Sequence, residues 1–140
     1  MFLAPRASNA RQFIVAFFIA AAVFLFLDAI WLTTMASRLY RPAIGHLMRQ
    51  DFDALAAAAF YAIYLSGLVV FVVRPAADGA AALARGALFG FVCYATYDLT
   101  NQATVVNWPW HVTLADLCWG SFVSAVSAWV SYRGTRNTRG

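Results

Sequence analysis

The chain has 140 residues, 63% of them hydrophobic and 11% charged, whereas a soluble domain carries about a quarter charged residues. Such a composition cannot cover a surface that faces water, but it can cover one that mostly faces lipid, and the length limits the answer to one domain. All ten basic residues are Arg, all six acidic residues are Asp, and the net charge is +4; the arginines stand at the ends of apolar runs, which argues against a nucleic-acid surface and for contacts with anionic lipid headgroups.

The first predicted span covers residues 12–35. Arg6 and Arg11 precede it, but the apolar run continues past Asp28 and outlasts a signal-peptide core, so an uncleaved first helix is expected. Residues 37–53 form a polar connector with Arg38, Arg41, Arg49, Pro42 and Gly45, with room for a short interfacial helix carrying Ile44, Leu47 and Met48 on its apolar side. Asp53 is a candidate N-cap for a second span over residues 54–73. That span stops at Arg74-Pro75, because the residue before proline avoids helical geometry. Asp78-Gly79 opens a third span over residues 80–106, and Asn107-Trp108-Pro109 is a tight turn into a fourth over residues 109–132. So short a link makes the third and fourth spans antiparallel neighbours. The expected fold is an all-α, polytopic four-helix transmembrane bundle in a single domain, residues 1–140.

With four spans both termini share a side. Arg6, Arg11, Arg74, Arg85, Arg133, Arg136 and Arg139 lie on it, against Arg38, Arg41 and Arg49 on the other. The positive-inside rule therefore predicts cytoplasmic termini in a bacterial inner membrane. Cys93 and Cys118 lie within apolar runs and read as small buried hydrophobes rather than as a disulfide or metal set.

Three aspartates, Asp28, Asp98 and Asp116, lie inside predicted spans, where charge is costly and normally faces the bundle interior. At about 1.5 Å of rise per residue, each falls roughly 10 to 12 Å below the outer surface, with Tyr61 and Tyr64 at similar depth. Tyr94, Asp98 and Asn101 share one face of the third helix, and Thr113, Asp116, Gly120, Ser124, Ser127 and Ser131 make a small polar stripe along the fourth. Gly86 and Gly90 form a GxxxG, which lets helix backbones approach closely. The pattern predicts a bundle tight on the cytoplasmic side with a polar pocket in its outer half, lined by Asp28, Trp31, Tyr61, Tyr64, Tyr94, Asp98, Asn101, Asp116 and Trp119. The plain alternative is that these groups only join helices by hydrogen bonds, worth about 0.6 kcal/mol each in a bilayer. Three carboxyls at one depth, with no Arg at that depth to pair with them, favour a site that binds a small molecule, a lipid, or a proton or cation. His46 and His111 read as interfacial, and a His111 metal site is not expected. No phosphate loop, HExxH, dinucleotide motif or Ser-His-Asp spacing points to a cofactor or a familiar reaction.

The phrases at residues 27–32 (LDAIWL), 59–64 (AFYAIY), 94–101 (YATYDLTN) and 116–120 (DLCWG) resemble the pattern of a bacterial family of predicted membrane proteins, domain of unknown function 2177. The resemblance runs from the first span to the fourth. It implies the four-span architecture and no established activity. Members encoded near enzymes similar to cyclopropane-fatty-acid synthases imply a lipid substrate, either for a membrane enzyme or for an accessory subunit of lipid modification. In the enzyme case one aspartate would serve as general base and a second, protonated, as general acid. Expected partners are the bilayer itself and either a larger membrane protein or a second copy of the chain.

Overall fold

The structure is a computed structural model that describes residues 6–138. It is all-helical, and four of its helical segments are long and apolar enough to cross a membrane. Helix α1 spans Arg6–Met35 and passes without a break into a π turn, Ala36–Tyr40, then a short helix α2, Arg41–Ile44, and a 3-10 turn, Gly45–Leu47. Helix α3 spans Ala54–Leu68 and ends in a second π turn, Val69–Val73; α4 spans Gly79–Thr104 and α5 spans Trp110–Arg136.

Local chemistry sets these boundaries. Asp53 accepts a hydrogen bond from the Ala56 N–H at 3.0 Å and caps α3; Asp78 accepts from the Ala81 N–H at 2.7 Å and caps α4. Each cap satisfies a backbone donor that the first helical turn leaves free. Between α4 and α5 the chain reverses at Asn107, with φ of 60°, a left-handed conformation that asparagine tolerates well. Gln102 locks the reversal. Its amide donates to the Trp108 carbonyl at 2.8 Å, and its carbonyl accepts from Thr113, whose hydroxyl accepts from the Trp108 indole.

Within the connector expected over residues 37–53 a short helix, α2, forms, and it follows α1 directly through the π turn rather than after a loop. No helix breaker separates Met35 from Arg41, and Pro42 sits in the first turn of α2, where its missing N–H costs nothing. The path continues by widening for one turn, with the Arg41 N–H reaching back five residues to the Ala36 carbonyl.

Tight packing sits in the half nearest the termini. A Cβ added at Gly86 would lie 2.8 Å from the Ser124 carbonyl oxygen and 2.9 Å from Ala128 Cβ, and one at Gly90 would overlap the Gly120 carbonyl. Helices α4 and α5 thus touch backbone to backbone. Ala16 and Ala20 bring α1 close to α5, where the Ser131 hydroxyl donates to the Ala16 carbonyl at 2.7 Å. Leu65, Leu68, Val69, Val72 and Val73 fill the space between them.

Candidate functional site

Helix α1 buries Ala16, Ala20, Phe24 and Asp28, four residues apart, so the stripe that packs the helix also carries Asp28 inward. The Asp28 carboxylate accepts from the Tyr61 hydroxyl of α3 and from the Trp119 indole N–H of α5 at 3.2 Å. One carboxylate therefore joins three spans. On α5, Asp116 Oδ1 accepts from the Tyr40 hydroxyl at 2.5 Å, and Tyr40 accepts from the Trp31 indole N–H at 2.8 Å. The two indoles stack, with centroids 4.6 Å apart and planes 9° from parallel.

Behind this ring stands Asp98, fully buried. Neither of its oxygens receives a hydrogen bond from a donor among the described residues, and its carboxyl lies against that of Asp116. Asp28 and Asp116 are each 7% exposed; both oxygens of Asp28 and Oδ1 of Asp116 meet fixed donors.

In front of the ring is a cavity of about 490 Å³, within the size range of sites for small molecules. Asp28, Trp31, Tyr61, Tyr64, Tyr94, Asp116 and Trp119 line it, together with Tyr40, Leu32, Phe60, Cys93 and Tyr97. Its floor is the contact of Tyr64 with Ser124, 2.5 Å between hydroxyls, beside Tyr94, which lies over Gly120 where a Cβ would strike its ring. Among the described residues the lining holds no Lys, Arg or His. No three His, Cys, Asp or Glu side chains among the described residues converge as a metal site, and His46 and His111 are exposed.

Two of the expected lining residues fall elsewhere. Asp98 supports Asp116 without facing the cavity. Asn101 lies one turn closer to the helix end, beside the Tyr97 hydroxyl, because the bundle faces the cavity only as far as Tyr97. Tyr40 is the main residue the sequence reading omits. Its place depends on the π turn, which rotates the residues after it relative to a regular helix. A sequence signal was present in the repeated Asp-x-x-Trp of Asp28–Trp31 and Asp116–Trp119, whose three-residue spacing puts each pair on one helix face.

Tyr40→Phe deletes one link of the ring. It is expected to cost about 1 kcal/mol in unfolding followed in mild detergent, and to shift tryptophan emission because Trp31 loses its acceptor. Tyr132→Phe, which removes a bond to the Ala77 carbonyl at the opposite end, should leave that emission unchanged.

A family model described as predicted membrane protein (DUF2177) matches residues 13–133, and the chain belongs to that family. No curated protein and no solved structure matches the chain.

Proposed function

We propose that this DUF2177 membrane protein binds a small molecule through a positively charged or hydrogen-bond-donating group held at Asp28 and Asp116. The observation that carries the reading is that two carboxylates face one cavity whose lining lacks a basic side chain among the described residues. Neutral donors such as Tyr61, Tyr40 and Trp119 satisfy lone pairs but do not cancel charge in a low-dielectric interior. A cationic ligand does, and the aromatic faces around it add cation–π attraction of about 0.5 to 2 kcal/mol.

The test uses purified protein in phosphatidylcholine nanodiscs and benzyltrimethylammonium as probe. Saturable quenching of tryptophan emission is expected, and it should disappear in the Asp28→Asn/Asp116→Asn double variant. A wild-type response that never saturates, or one that survives in the double variant, removes the reading.

A second reading is a membrane enzyme or an accessory subunit in lipid modification. The grouping of Asp98 and Asp116 with Asp28 across the cavity favours it, since neighbouring carboxyls in unlike environments can divide the roles of acid and base. Comparing the lipids of cells with and without the gene decides it: unchanged lipids under several stresses count against both forms.

For topology we propose cytoplasmic termini in a bacterial inner membrane, supported by the arginine asymmetry. A reporter active only in the cytoplasm and fused after Gly140 is expected to be active; activity of a periplasm-only reporter there reverses the orientation.

A further inference from the structure

We infer that the ligand is a single-chain ammonium amphiphile that enters the cavity sideways from the bilayer, through a gap between α3 and α4; this deepens the reading that the cavity binds a cation.

Helix α3 packs backbone-close at one end only, and above that end it is tied to α1 and α5 through the side chains of Tyr61 and Tyr64. Its π turn, Val69–Val73, packs on α1, α4 and α5, whereas the helical part above it approaches α1 sparsely and α4 hardly at all. Gly67 and Tyr64 of α3 meet Phe89 of α4, and Tyr64 also meets Tyr94 edge to face. Beyond that level the two helices present Phe60 on one side and Tyr97 on the other, 46% and 61% exposed, with Cys93 between them on the cavity wall. These residues lie within apolar spans, so the gap faces lipid. The end of the cavity toward the loops is crossed instead by hydrogen-bonded side chains. There Tyr40 is tied to both Trp31 and Asp116, and this latch crosses from the first span to the fourth.

The chemistry of the interior then selects the head of the molecule. The ionisable groups facing the cavity are carboxyls, phenols and one thiol, so the electrostatic deficit is positive. Asp98 adds a further carboxyl, fully buried and without a donor. The stacked indoles and neighbouring phenols offer π-faces of the kind that surround alkylammonium groups. A cavity of about 490 Å³ takes such a head and the first part of a chain, while the remaining methylenes leave through the gap and stay in the lipid. Each methylene kept out of water stabilises such a ligand in the membrane by about 0.8 kcal/mol, so its concentration is high where the gap opens.

The experiment follows tryptophan emission of the intact protein in phosphatidylcholine nanodiscs with three probes. Dodecyltrimethylammonium, dosed as mole fraction of the bilayer, is expected to saturate the site. Dodecanol, with the same chain and no charge, should bind at least tenfold more weakly on that scale. Tetramethylammonium, added from water, should give no response up to a hundredfold higher total concentration. Cys93→Trp fills the gap and should weaken or slow dodecyltrimethylammonium binding at least tenfold. Phe60→Ala widens the gap and should speed association, so the route stays testable if the bulky variant fails to fold. Equal binding of dodecanol overturns the ammonium assignment. Saturation by tetramethylammonium, or indifference to both gap variants, overturns the sideways route while the cation site itself stands. No response to any probe, benzyltrimethylammonium included, overturns the binding function and this inference with it.

Discussion

Asp98→Asn is expected to leave the bundle assembled and to flatten the pH dependence of cation binding, whereas the wild type should bind clearly more weakly as the medium is acidified. The reason lies in the pair behind the ring. Asp98 is fully buried without a donor and neighbours Asp116; two adjacent carboxyls in an apolar interior do not both ionise without a counter-charge, so one is expected to carry a proton. A cation arriving at Asp116 competes with that proton. The groups packed around the pair, Tyr40 and Trp31 from the first span, Tyr94 and Tyr97 from α4 and Asp28 across the cavity, provide no cation to take its place. Where binding releases one proton, affinity changes by at most about tenfold per pH unit, or 1.36 kcal/mol, rising toward higher pH. An asparagine amide donates to Asp116 permanently and has no proton to release. The variant should therefore show a shallower slope across the range, and bind below the wild type at its alkaline end by about tenfold or more. Binding of benzyltrimethylammonium measured from pH 5.5 to about 8.5 checks this. Equal slopes in the two proteins would show that Asp98 only joins helices. Asp98→Leu is the structural control: it leaves Asp116 without its neighbour's proton and should lower thermal stability.

Gly90→Leu is expected to prevent the folded bundle from forming, and even Gly90→Ala to destabilise it by about 1 to 3 kcal/mol. A Cβ at position 90 overlaps the Gly120 carbonyl oxygen and comes within 2.6 Å of Ser124 Oγ. The obstacle is backbone, so relief requires moving all of α5. In lipid, helices associate through close packing and interhelical hydrogen bonds rather than through expulsion of water, so this contact has no hydrophobic substitute. Displacing α5 would also withdraw Ser124 from Tyr64 and Trp119 from Asp28. Size-exclusion profile and thermal unfolding in mild detergent test the outcome. Gly45→Ala provides the comparison, since its added Cβ meets nothing closer than 3.9 Å and alanine favours helix. Normal unfolding of Gly90→Leu would mean that α4 and α5 are not held at this distance.

The four spans were legible because long apolar runs, their aspartate caps and their proline and glycine stops agree with one another. Asp28 and Asp116 were legible for a related reason: a carboxylate inside an apolar run has few places to go but inward. Asn101 misled, since helical spacing groups residues by face but does not say how far along that face a cavity extends. Tyr40 lies beyond the reach of a fixed 3.6-residue period, because a single widened turn re-aims everything after it. The gap beside α3 is less legible still. It depends on how far one helix leans from its neighbours, which packing sets and hydropathy does not.

The solid half of the bundle has a consequence for traffic across the membrane. Leu65, Leu68, Val69 and Val72 are buried between the helices, and below Tyr64 and Ser124 the glycine-lined contact of α4 with α5 leaves no spacing to widen. If the cavity takes a ligand as proposed, it works as a cup: the ligand would leave through the entrance it used, and passage to the opposite leaflet would require α4 and α5 to come apart at Gly90.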